Sequence, residues 1–125
     1  MKYLLDSNAL IYAVRPEALY ASFRQWAEDG ETAFSAISRV EVLGFARLTP
    51  ADALVFAAIF RVMPQLPIDD AVLAKAIEIR QQTRLKTPDA VVAATALVHG
   101  LELVTADSDF SRVAGLLVVN PLLRA

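Results

Sequence analysis

Short apolar runs alternate with longer, capped helical stretches along almost the whole chain, and few architectures accommodate that order. The first run, Lys2 to Leu5, ends in Asp6, and the small polar pair Ser7-Asn8 separates it from a second apolar stretch, Ala9 to Val14. This is how a buried strand ends and a helix begins. Further strand-like runs are Thr32 to Ile37, a brief Leu66 to Ile68, Leu101 to Thr105 and Leu116 to Val119.

Helix signals fill the gaps. Arg15-Pro16 stops the first helix and opens a second, in which Leu19, Phe23, Trp26 and Ala27 share a face before Asp29-Gly30 ends it. Ser38 is positioned to cap a helix running to about Leu48. Thr49-Pro50-Ala51-Asp52 opens the next with a cap, a first-turn proline and an acid three residues after the cap. Asp69-Asp70 starts a helix to about Leu85, with Val72, Leu73, Ala76, Ile77 and Ile79 as its apolar positions and Lys75, Glu78, Arg80 and Arg84 opposite. Thr87-Pro88-Asp89 repeats the cap-and-proline start, and Gly100 after His99 is the stop. Asp107 to Val113 reads as a short helix. The alternation predicts the α/β class: three layers, α/β/α, around a central parallel sheet of about four or five short strands covered on both faces.

Composition narrows the functional classes. At 125 residues the chain suits a single domain, residues 1–125, with a substantial core. A hydrophobic content of 56 % and a mean hydropathy of +0.45 are high for so small a chain, so apolar surface is expected to face a partner. No run approaches the roughly 18 uninterrupted apolar residues of a membrane span. The opening residues do not read as a signal peptide, so a cytoplasmic location without membrane contact is expected. The absence of cysteine excludes a disulfide framework and a thiolate metal site. A net charge of −2 provides no broad basic footprint for nucleic acid, so a polyanion would need bound cations or local arginines.

The acids gather the interest. Asp6 sits at the tip of the first strand, where an open parallel sheet binds ligands, although an N-cap aspartate looks the same. Asp107 follows the strand ending at Thr105, and Glu41 lies one turn into the helix that leaves the strand Thr32 to Ile37. Asp89 is in the first turn of its helix, and Asp109 is a fifth candidate. Carboxylates brought to one sheet edge cannot all ionise unless protons or cations compensate them. With no Cys and a single His, the available donors are nearly all oxygens, which suits Mg²⁺ or Mn²⁺ rather than structural Zn²⁺. Carboxylate-held divalent ions are a standard device for phosphodiester hydrolysis.

Four segments together resemble a known family. Leu5-Asp6-Ser7-Asn8, Ile37-Ser38-Arg39-Val40-Glu41-Val42-Leu43-Gly44, Pro88 to Ala96 and Val104-Thr105-Ala106-Asp107-Ser108-Asp109-Phe110 look like the four motifs of the PIN domain. They look in particular like those of the VapC-type toxins of bacterial toxin–antitoxin pairs. The resemblance covers essentially the whole chain, in order and at similar spacing, including the closing Val119-Asn120-Pro121. It implies a PIN-like fold and a Mg²⁺- or Mn²⁺-dependent endoribonuclease that leaves a 5′-phosphate and a 3′-hydroxyl. It also implies a homodimer, held inactive by a cognate antitoxin in the active-site groove. By the same resemblance Asp6, Glu41, Asp89 and Asp107 form the catalytic and metal-binding cluster, with Asp6 and Asp89 as direct ligands and Asp109 in support. Asn8, Ser38 and Thr105 would orient carboxylates or water.

Plainer readings stand beside this one. Asp89 suits a helix start by dipole preference alone, and Asp107 suits a cap. Glu41 is the sharper signal, because apolar Val40, Val42 and Leu43 surround it. His99 in a last helical turn complements the helix dipole rather than serving as a base. Arg15, Arg39, Lys86 and Arg112 lie near the acidic edge in sequence and are candidates for RNA phosphates. Between Asp52 and Arg61 every residue is apolar, so that helix is either central to the core or an interface. Two other functions fit the outline. An aspartyl-phosphate phosphatase would use Asp6, but that chemistry expects an acid where Asn8 stands. A non-catalytic interaction module would use the apolar helix alone.

Overall fold

The computed structural model describes residues 1–123. Its centre is a fully parallel sheet of five strands: β1 (Tyr3–Leu5), β2 (Thr32–Ser35), β3 (Gln65–Leu66), β4 (Glu102–Val104) and β5 (Val118–Val119), in the order β3-β2-β1-β4-β5. The six α-helices are α1 (Ser7–Ala13), α2 (Ala21–Glu28), α3 (Ala36–Leu43), α4 (Pro50–Val62), α5 (Asp70–Gln82) and α6 (Thr87–His99).

The period-two alternation of the strands builds the layers. Leu4, Ala33 and Leu103 point to one face and pack with Val72, Ala76 and Ile79 of α5 and with the buried run of α6. Leu5, Phe34 and Val104 point to the other, against Ala9, Leu10, Phe23, Val42 and Phe56 from α1 to α4. The register Leu4↔Ala33 and Leu4↔Leu103 puts these residues in line across neighbouring strands, so each face is a continuous apolar stripe. The three-layer α/β/α expectation holds. No helix among the described residues is long and apolar enough to cross a membrane.

Several local expectations are corrected. β2 stops at Ser35, whose side chain caps α3 by accepting the Ile37 N–H at 3.3 Å, so Ser38 lies inside the helix. That helix ends at Leu43, not near Leu48. Gly44 closes it with a 2.8 Å bond to the Val40 carbonyl, where an added Cβ would stand 2.5 Å from that oxygen. Beyond Pro16 the chain first makes a 3₁₀ turn, Ala18–Tyr20, before α2. The tighter turn shifts the helical phase, and Leu19 is left exposed instead of joining Phe23. β3 is Gln65–Leu66, and Asp107 to Val113 is a 3₁₀ turn over Ser108–Arg112 rather than an α-helix. α5 ends at Gln82, where the backbone turns extended at Thr83 (φ −133°, ψ 179°), whose hydroxyl donates to the Ile79 carbonyl at 2.8 Å. Two of its apolar positions, Leu73 and Ile77, face outward, since α6 covers only one flank. Lys86, not Thr87, is the residue before the first turn of α6.

Candidate active site at the carboxyl edge of the sheet

The topology brings the acids to one edge. β1 connects onward to β2 on one side and is flanked by β4 on the other, so the ends of β1 and β4 bound the crevice where parallel sheets take ligands. Asp6 follows β1, and Thr105 follows β4 in the adjacent register position. α3 leaves β2 at that same edge and carries Glu41 on its second turn. α6 leads through Gly100, in the left-handed region at φ 66°, directly into β4, so it runs against the strands. Its first turn, with Asp89, therefore lies at their carboxyl ends.

Asp6 is the buried centre of this edge, only 4 % exposed. One carboxylate oxygen accepts the Ala9 N–H at 2.7 Å and caps α1. The other accepts the Thr105 hydroxyl. The capping and the site-centred readings of Asp6 are thus both geometrically true. Burial pushes its carboxyl up to about 6, with Asp89 and Asp107 adding to the rise while the Thr105 and Ala9 hydrogen bonds oppose it. Thr105 Oγ1 in turn accepts the Asp107 N–H at 3.0 Å, and Asp107 accepts the Asp109 N–H at 2.9 Å. Asp109 itself points toward Arg112, 3.7 Å away on the surface.

Asp89 is half-buried and also raised above its ordinary value, first by burial, then by the charges of Asp107 and Glu41, with Lys86 pulling the other way. Glu41 is exposed on the rim, and its Oε1 accepts the Ser7 hydroxyl at 2.6 Å. Among the described residues Asn8 makes no such contact; it is exposed and lines a cleft of about 720 Å³ together with Tyr12, Arg15, Phe45 and Arg47. On the other flank, Thr105, Asp107, Ser108, Ser111 and Asn120 line a second cleft of about 370 Å³. Ser38 is fully buried in α3, with a hydroxyl that has no hydrogen-bond partner among the described residues. Ser7 is the contact that sequence reading missed. The signal available was a small hydroxyl residue directly after the strand-tip acid.

Asp6, Glu41, Asp89 and Asp107 share the rim without closing on one point. Among the described residues no three His, Cys, Asp or Glu side chains form a ready cage for a metal ion. No Lys or Arg side chain pairs with any of those four among the described residues either. Two carboxylates with raised proton affinity, Asp6 and Asp89, an all-oxygen donor set and an orphan buried hydroxyl close by in sequence to Glu41 are the chemistry a hard divalent cation fits.

A PIN domain family model matches residues 3–116. The chain belongs to the PIN domain family. Solved structures similar to this PIN domain include a toxin–antitoxin complex from Klebsiella pneumoniae, 28 % identical over 96 % of this chain and 98 % of that one, with a TM-score of 0.80. FitAcB from Neisseria gonorrhoeae is 28 % identical over 98 % of this chain and 99 % of its own, with a TM-score of 0.79. DNA-bound VapBC from Salmonella typhimurium shares the fold at 24 % identity and a TM-score of 0.74, over 95 % of this PIN domain and 97 % of that chain. No curated protein sequence matches this one.

Proposed function

We propose that this PIN domain is a divalent-cation-dependent endoribonuclease and the toxin of a VapC-type toxin–antitoxin pair. The observation that carries the reading is that Asp6, Glu41, Asp89 and Asp107 lie along one sheet edge and that, among the described residues, none of them forms an ion pair with a Lys or Arg side chain, Lys86 acting on Asp89 only through its longer-range charge. Asp6 and Asp89 would hold Mg²⁺ or Mn²⁺ directly, with Glu41 and Asp107 completing the charge and Asp109 in support. When bound, such an ion lowers the pKa of a water and stabilises charge on a phosphoryl oxygen. Thr105 holds the Asp6 carboxylate in place, and the Ala9 N–H fixes its second oxygen, so the acid is presented in one orientation. Glu41, exposed on the rim, would take a proton from attacking water. The two flanking clefts leave room for the strand on either side of the scissile phosphate. Cleavage leaves a 5′-phosphate and a 3′-hydroxyl.

A phosphatase working through an aspartyl-phosphate is disfavoured, since Asn8 stands where that chemistry expects a second acid and, among the described residues, no lysine pairs with Asp6. Protein partners are supported by the similar toxin–antitoxin complex from Klebsiella pneumoniae and by uncovered apolar side chains: Leu54, Val55 and Val62 on α4, Val40 on α3, Leu73 and Ile77 on α5. We assign these surfaces to a cognate antitoxin and to a second copy of the chain. The deciding experiment is hydrolysis of RNA by purified protein with Mg²⁺ or Mn²⁺. Cleavage that survives excess chelator, or that survives both Asp6→Asn and Asp89→Asn, sinks the reading. Co-purification with the product of an adjacent small reading frame, and molar mass in solution, test the partners.

A further inference from the structure

Two of the rim acids are held by hydroxyls reaching across the fold: Asp6 by Thr105, and Glu41 by Ser7 at 2.6 Å across 34 residues of sequence. We propose that Ser7 is a positioning residue, which ties the Glu41 carboxylate to the Asp6 strand tip and so sets the mouth of the metal site. The inference rests on the nuclease reading above.

Ser7 has no structural duty that accounts for its hydroxyl. It is the first residue of α1, but the cap of that helix is Asp6, which accepts the Ala9 N–H. The Ser7 hydroxyl is instead spent on a tertiary bond to an exposed glutamate. Glu41 needs such a tether: it lies on the solvent side of α3, a helix of only eight residues, and no cationic side chain pairs with it among the described residues. Left free, its carboxylate would sample many rotamers.

The chemical type of the tether matters. A lysine or arginine would fix Glu41 but cancel its charge, and the carboxylate would no longer attract a cation or accept a proton well. A hydroxyl donates one short, charge-assisted bond and leaves the charge and the second oxygen available. The reference point is also well chosen. Ser7 is bonded through the backbone to Asp6, and Asp6 is itself locked by Thr105 and Ala9. One peptide therefore presents a buried acid directly and an exposed acid through its neighbour.

The test is Ser7→Ala beside Ser7→Thr in the full-length protein, read by RNA cleavage across a Mn²⁺ series and by calorimetric Mn²⁺ titration without RNA. Ser7→Ala is expected to raise the Mn²⁺ needed for half-maximal rate, or to lower kcat, by roughly ten- to hundredfold. The KM for RNA and the melting temperature should stay unchanged. Ser7→Thr, which keeps the hydroxyl, should restore most of the loss. In a Glu41→Gln background, Ser7→Ala should add little, because both changes break one link. If wild type is active and Ser7→Ala matches it, or if the two losses simply add, the tether is refuted and the nuclease reading stands. If wild type neither cleaves RNA nor binds Mn²⁺, the nuclease reading fails and takes the tether's role with it.

Discussion

α4 and α6 invite comparison. Both are 13 residues long, both carry a proline in the first turn followed by an acid, and both continue as an almost unbroken apolar run. Yet Ala90 to Ala96 of α6 are all buried, while in α4 only Phe56 is, and Leu54 and Val62 are 75 % and 81 % exposed. Residue size and position explain the split. α6 is built largely of alanine and valine, which lets it settle against the sheet, between that surface and α5. α4 offers larger side chains on every side and has room to bury one stripe through Phe56, with Ile59 and Phe60 half-covered. Hydropathy says that a helix wants covering; chain topology decides which helix its own chain covers. The covered one carries Asp89 to the sheet edge, and the uncovered one leaves an apolar face open, the face assigned above to a partner.

The largest effect should come at the tip of α6. Asp89→Asn is expected to reduce RNA hydrolysis by at least about a hundredfold, the usual scale for removing a catalytic proton-transfer or charge-stabilising group. Circular dichroism and melting should show an intact fold, since the change removes like-charge repulsion from Asp107 and Glu41. Full activity in this variant would leave α6 with a packing role only, and the contrast with α4 would lose its functional half.

The acidic end of the molecule should also be the pH-sensitive one. Folded Asp6 holds its proton up to about 6, whereas the unfolded chain releases it near 3.8. In that window the native state binds more protons, so the stabilising contribution is complete below 3.8 and is lost as pH rises through about 6. The shift corresponds to something on the order of 3 kcal/mol. Melting temperatures of wild type and Asp6→Asn, compared from pH 4 to pH 7 without divalent ions, should diverge in slope. Adding Mn²⁺ should stabilise the wild type more at pH 7 than at pH 5, because the cation competes with the proton. Parallel slopes for the two proteins would contradict the buried, crowded state of Asp6.

Much of this was legible in the residues themselves. The strand-tip position of Asp6 and its capping role follow from the same short segment, and the two readings did not compete because one oxygen serves each. The parallel layering followed from the alternation of short runs and capped helices. Other features depend on contacts that no local pattern carries. Ser35 takes the cap of α3 because β2 ends early, and Ser38 is then drawn inside. Its apolar neighbours make Glu41 an acid that either faces a site or breaks a buried face, but Val40 is 66 % exposed and only Val42 of the three goes inside. What the fold does show for Glu41 is its place on the helix that leaves β2 at the carboxyl edge. Its bond to Ser7 spans 34 residues, across α1, α2 and β2, and only the folded topology brings them together.

A packing test sharpens the same comparison. Ala93 is fully buried in α6. Ala93→Leu should overfill that contact and cost about 1–3 kcal/mol, read as a lower denaturation midpoint with little change in slope. A tolerated leucine there would mean that α6 is less tightly seated than its alanines imply.

The smallest effect on folding, and the most telling for α4, is expected from Leu54→Asp. The side chain is 75 % exposed, so removing it should change stability by no more than about 0.5 kcal/mol. The same change places a charge in an apolar face that also includes Val55 and Val62. If that face is a partner surface, association with the antitoxin or with a second copy should weaken sharply while RNA hydrolysis by the isolated protein persists. Catalysis and association would then separate by helix, the first following α6 and the second α4. If Leu54→Asp instead unfolds the protein, α4 is held by its own chain more tightly than its exposure indicates. If neither folding nor association responds, the exposed leucine is incidental, and the partner surface must be sought on α5 around Leu73 and Ile77.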